Sequence, residues 1–134
     1  MAVVMRPPER SRADLEAYRH VTQLPFPDVA RELVDLLGAK LVAYIAAVTE
    51  ARAVNAWIAG EREPRPNVPP KLRMALRIGI PLAQADGPEV ARAWFQGLNP
   101  QLDDRSPARL LREGDLEEVG PDVLKAVRSF VAEG

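Results

Sequence analysis

An all-α fold is predicted by three features of this 134-residue chain. Hydrophobic residues make up 47% of it and aromatic residues only 5%, so the core is built from Ala, Leu and Val, a composition that favours closely approaching helices over sheets. No stretch alternates apolar and polar residues as a strand would, whereas apolar residues recur at intervals of three and four in several segments. Recognisable helix starts and stops separate those segments. The length suits one domain, or two very small ones packed together.

Residues 1–27 hold Pro7, Pro8, Pro25 and Pro27 around the polar, Arg-rich stretch Glu9 to His20, which is compatible with a short helix but has little to bury. They read as an arm, ordered weakly or only with a partner. The helical region starts at Asp28, a candidate N-cap after Pro27. Val29, Leu33, Leu36 and Leu37 follow at helical spacing before Gly38 closes the helix. A second helix, about Ala39 to Ala47, buries Leu41, Val42 and Ile45. Thr49 caps a third, Glu50 to Ala59, with Val54, Trp57 and Ile58 inward and Gly60 ending it.

Pro64, Pro66, Pro69 and Pro70 mark a linker or hinge between two halves. A fourth helix, about Pro70 to Ala85, carries Leu72, Leu76, Ile80 and Ala83, and Pro81 should kink it or break it in two. Asp86-Gly87-Pro88 makes a turn, with Pro88 at the first position of a fifth helix reaching Gln96 or Leu98. Its apolar face is Val90, Ala91, Trp94, Phe95 and Leu98. Ser106-Pro107 starts a short helix that ends at Gly114. The last helix, about Pro121 to Ala132, buries Leu124, Val127 and Phe130 or Val131. Seven helices are expected, and no internal repeat is evident.

Charge is unevenly spread within a net charge of -1. Residues 50–85 carry Arg52, Arg62, Arg65, Lys71, Arg73 and Arg77 against three acids, while the residues after 85 are rich in Asp and Glu. A basic middle and an acidic end fit contact with nucleic acid on one part and a different partner on another, or arise by chance. The absence of Cys excludes disulfides and thiolate metal sites. A single His leaves no histidine-rich metal centre. No apolar run reaches the roughly 18 residues of a membrane span, and Met1 to Arg6 is too short for a secretory signal. A soluble cytoplasmic protein is expected.

The second and third predicted helices have the form of a helix-turn-helix, with small Ala43, Ala46 and Ala47 where the helices cross. A helical wheel puts Ala51, Val54, Trp57 and Ile58 on one side and Thr49, Arg52, Asn55, Ala56 and Ala59 on the other. Arg52 can address guanine O6 and N7, and Asn55 adenine N6 and N7, while the alanines keep the helix slim enough for a major groove. Arg62, Arg65, Lys71 and Arg73 could then hold flanking phosphates. The plainer alternative is a helical hairpin with a solvated polar face.

The run Ala91-Arg92-Ala93-Trp94-Phe95-Gln96-Gly97-Leu98-Asn99-Pro100-Gln101-Leu102, followed by Arg105-Ser106-Pro107-Ala108-Arg109-Leu110-Leu111-Arg112-Glu113-Gly114, resembles the toxin-binding domain of the Xre/MbcA/ParS antitoxin family. With the upstream helix pair the likeness spans about Asp28 to Gly134. It implies an Xre-like helix-turn-helix domain over 28–66 and a helical toxin-binding domain over 67–134. It also implies an antitoxin that represses its own operon and covers the active site of a RES-type, NAD-degrading toxin. A homodimer, forming larger assemblies with toxin, is expected because two short recognition helices must read two half-sites. By the same resemblance Arg109, Leu110, Leu111 and Arg112 lie near the toxin, and Phe130, Val131, Glu133 and Gly134 approach its pocket. Trp94, Asn99, Pro100, Pro107 and Gly114 hold the domain's shape. Spacing alone makes Phe130 a core residue of the last helix and Arg109 and Arg112 a solvated face.

No catalysis, metal or cofactor is expected. His20 is solitary, Asp103-Asp104 and Glu117-Glu118 are sequence neighbours rather than carboxylates facing each other across a cleft, and the glycines match no phosphate-cradling loop. The alternatives are a stand-alone helix-turn-helix transcriptional regulator with a helical dimerisation domain, and a helical scaffold that binds only protein.

Overall fold

The computed structural model describes residues 9–133. Among them the chain is all-helical: α1 (Glu9–Gln23), α2 (Phe26–Leu37), α3 (Ala39–Ile45), α4 (Ala51–Ile58), α5 (Val68–Asp86), α6 (Pro88–Gln96), α7 (Pro107–Glu113) and α8 (Leu116–Glu133), with a 3-10 turn, Pro100–Leu102, between α6 and α7. The described residues thus hold eight α-helices rather than seven. The extra one is α1, inside the stretch read as an arm. It buries Ala17 and Val21 against the body and packs along α5. Residues 1–8 of the expected arm lie outside the described residues.

Local signals set several boundaries as expected. Gly38, at φ 86°, both ends α2 and precedes α3, and Gly87, at φ 92°, does the same between α5 and α6. An L side chain rarely adopts that backbone conformation. The Ser106 side chain accepts from the Arg109 N–H at 3.1 Å, and Pro107 opens α7. Other boundaries move. α2 begins at Phe26, with Pro25 as its cap and Asp28 in its first turn, where Asp28 pairs with Arg31. Glu50, not Thr49, precedes α4, and no side chain caps it. α8 starts five residues before Pro121, where Asp115 accepts from the Val119 N–H at 2.8 Å.

The proline-rich stretch does not separate two cores. Pro69 and Pro70 lie in the first turn of α5, where proline's missing N–H costs no helical bond. α5 then runs unbroken through Pro81. An interior proline costs about 3 kcal/mol in an isolated helix, but α1, α2, α6 and α8 all pack on α5. Leu72, Ala75, Leu76, Ile78, Pro81 and Leu82 are buried there. Close approach helps: a Cβ on Gly79 would lie 2.6 Å from Leu36 Cδ2 of α2. One hydrophobic cluster joins Val21, Leu33, Trp57, Leu76, Phe95, Leu111 and Val127, so residues on both sides of position 66 share a single core. No described helix is long and apolar enough to cross a membrane.

Candidate functional site

α3 and α4 are joined by a tight connection. Ala47 adopts φ 60°, and the Val48 N–H donates to the Ala43 carbonyl at 3.0 Å. α4 turns Val54 and Trp57 inward. The Trp57 ring meets Phe26 at 5.9 Å between centroids, a pairing worth roughly 0.5–1.5 kcal/mol beyond the area it buries. Anchoring that side leaves the opposite one outside. Thr49, Arg52, Asn55, Arg62 and Arg65 are exposed and Ala56 is half-buried. The Arg52 side chain is 86% exposed and pairs with Glu50 at 2.9 Å. So exposed an ion pair is worth little and leaves the guanidinium available.

Lys71 and Arg73 do not join that surface. Lys71 is 7% exposed, and its Nζ donates to the Arg112 carbonyl at 3.0 Å. Burial, with Arg112 nearby, holds its pKa below the ordinary 10.5. Arg73 donates to the carbonyls of Val21 and Leu24 at 2.7 and 2.9 Å. Arg92 donates to Leu36 at 2.9 Å, and Arg112 to Tyr44 at 2.7 Å. The common logic is electrostatic. The last carbonyls of a helix lack intrahelical donors and carry the negative end of its dipole, so a cation reaching them supplies both a donor and a favourable charge. Basic residues on α5, α6 and α7 thus close the C-terminal ends of α1, α2, α3 and α7. Part of the basic middle is consumed in this way rather than presented to solvent.

The second half also departs from expectation. Leu110 and Leu111 are core residues, 7% and 0% exposed, and offer no partner surface. Arg112 is half-buried and directed at α3, its guanidinium 4.6 Å from the Tyr44 ring centroid. Arg109 is exposed and pairs with Glu113 at 3.1 Å. Phe130 is 38% exposed rather than a core residue, with its ring 6.4 Å from that of Trp94. Val131 is half-buried and Glu133 exposed, while Gly134 lies outside the described residues. Leu98, expected on the apolar face of α6, is 75% exposed. Asn99 accepts from the Gln101 N–H at 2.9 Å and bridges to Arg105, which gives the Asn-Pro-x-Leu segment its compact turn.

Sequence reasoning missed one further feature. A groove of about 580 Å³ lies between α1, α2 and α5, floored by Leu36, Leu76 and Ile80 and edged by Glu16, Glu32 and Asp35. His20 lies at its side, with Nε2 2.9 Å from both Glu32 carboxylate oxygens. It closes only where α5 packs against α1 and α2, more than 30 residues away in sequence, so no local pattern announces it.

No family model, curated protein or solved structure matches the chain.

Proposed function

We propose that the chain is the antitoxin of a type II toxin–antitoxin pair, acting in the cytoplasm as a homodimer and forming larger assemblies with its toxin. In this reading α3 and α4 are a helix-turn-helix within a DNA-binding part over 28–66, and 67–134 supplies the toxin-binding part. The observation that carries it is the outward side of α4. Arg52 and Asn55, the side chains that pair with guanine and adenine edges, are exposed on a slim helix whose opposite side is anchored by Trp57. Thr49, Ala56, Arg62 and Arg65 complete the surface that would meet operator DNA.

The toxin-facing surface is narrower than the resemblance implies. Arg109, Phe130, Val131 and Glu133 remain candidates for contact with a RES-type toxin, whereas Leu110 and Leu111 are buried and the half-buried Arg112 is engaged with Tyr44. Acidic residues in α8, Glu117, Glu118 and Asp122 among them, suit a basic NAD-binding cleft, since complementary charge speeds encounter and selects partners. A second reading, a stand-alone regulator whose second half serves dimerisation, is favoured by the exposure of the apolar Leu98 and Phe130 in that half.

The experiment pairs two variants with the neighbouring reading frame expressed as toxin. Arg52→Ala with Asn55→Ala should weaken operator binding by roughly 30-fold or more at fixed salt while cells stay protected. Removing residues 130–134 should do the reverse, leaving operator binding and releasing toxicity. Unchanged operator affinity in the double variant overturns the recognition surface. Unchanged protection by the truncated chain overturns the toxin contact, and a harmless neighbour leaves the regulator reading in its place.

A further inference from the structure

The connection that aims α4 is held from the other end of the chain. The Tyr44 carbonyl accepts the Ala47 N–H at 3.1 Å, closing the turn. It also accepts the Arg112 guanidinium at 2.7 Å, from 68 residues downstream. That guanidinium lies 4.6 Å from the Tyr44 ring centroid, so both the carbonyl and the ring of Tyr44 engage one cation. Arg112 is itself fixed, because its own carbonyl accepts the buried Lys71 Nζ at 3.0 Å. A chain of contacts thus runs from α5 through the end of α7 to the end of α3.

Two features set this chain of contacts apart from ordinary packing. Neither Lys71 nor Arg112 pairs with a carboxylate among the described residues. Both are spent on backbone carbonyls at helix ends, where a cation fixes direction as well as contact. The segment they hold also contains Ala47 at φ 60°, a conformation that costs a non-glycine residue energy and persists only where its surroundings impose it.

We propose that Arg112 is a positioning residue for the α4 surface, fixing through Tyr44 the turn that sets the direction of Arg52 and Asn55. The consequence for DNA rests on the duplex-reading role proposed above, whereas the hold on the turn does not. Arg112 itself touches no duplex in this arrangement.

The test uses the full chain in three variants, Arg112→Ala, Arg112→Lys and Val123→Ala. The last removes fully buried volume from α8 and controls for general destabilisation. Amide hydrogen exchange at Ala47 and Val48, relative to the buried amides of α5, should rise roughly tenfold or more in Arg112→Ala, as expected on losing a charged hydrogen bond. Arg112→Lys should recover part of that protection, and Val123→Ala should leave the ratio unchanged. Operator affinity should fall in Arg112→Ala and hold in Val123→Ala. An unchanged exchange ratio in Arg112→Ala, or an equal rise in Val123→Ala, overturns the proposal. So does full operator affinity in Arg112→Ala with a loosened turn. If the turn loosens as expected but the unaltered chain binds no duplex, the DNA-reading role of α4 falls while the hold of Arg112 on the turn stands.

Discussion

The guanidinium of Arg73, on α5, donates to the carbonyl of Val21, near the end of α1, at 2.7 Å. A second bond to Leu24 at 2.9 Å makes the contact two-pronged. α1 needs it, since Ala17 and Val21 are its only buried apolar side chains among the described residues. The rest of its attachment is polar. Tyr18 lies under Arg77 at 4.7 Å, Asp14 pairs with Arg128 at 2.9 Å, and His20 meets Glu32.

Arg73→Ala should therefore cost about 1.5–3 kcal/mol, the range for hydrogen bonds to a charged group. Urea unfolding measures the loss, and limited proteolysis should cut within α1 sooner than elsewhere. A change under about 0.5 kcal/mol, the scatter of ordinary surface substitutions, would mean that α1 is held without the Arg73 bonds.

Ala47 occupies the left-handed region at φ 60°, which costs an L residue about 1–2 kcal/mol. Glycine avoids that cost but gives up roughly 0.5–1 kcal/mol of chain entropy. Ala47→Gly should accordingly stabilise the fold by roughly 0.75 kcal/mol, the difference between the midpoints of those opposing effects. Thermal unfolding at matched pH would show a higher midpoint. A lower midpoint would mean that the alanine methyl makes a contact worth more than the strain.

Lys71 gives stability an unusual pH dependence. Burial first, and Arg112 second, lower its pKa in the folded chain below the 10.5 of the unfolded one. Between the two values the unfolded chain binds the additional proton, so this residue makes stability rise with pH. Below the lowered pKa both states are protonated and its contribution is flat. The stability of the unaltered chain relative to Lys71→Met should thus increase as pH climbs towards 10.5. Parallel pH profiles for the two proteins, measured by denaturant unfolding, would contradict this account.

Why some elements are legible in the sequence and others are not follows from the range of the forces involved. The stop at Gly38, the turn at Gly87-Pro88 and the start at Ser106-Pro107 depend on backbone torsions and on bonds spanning three or four residues. The inward side of α4 is equally legible, because Val54 and Trp57 are one helical turn apart. Pro81 and Pro121 misled: Pro81 signals a break that the helices packed on α5 override, and Pro121 signals a helix start although α8 already begins at Leu116. That α1 docks on the body is not legible, because its own composition offers little to bury and its anchors, Ala17, Val21 and the carbonyls reached by Arg73, depend on α5.

By itself the sequence determined the helical class, the apolar spacing of most helices and the exposed polar side of α4, all properties of neighbours along the chain. Only the tertiary structure decided where the cations go. Arg73, Lys71 and Arg112 reach carbonyls 52, 41 and 68 residues away, and no local pattern records which helix end lies within their reach. It likewise decided that Leu110 and Leu111 face the core and Phe130 the surface. The physical reason is that burial depends on which helices pack together, whereas periodicity shows only which side of a helix is apolar.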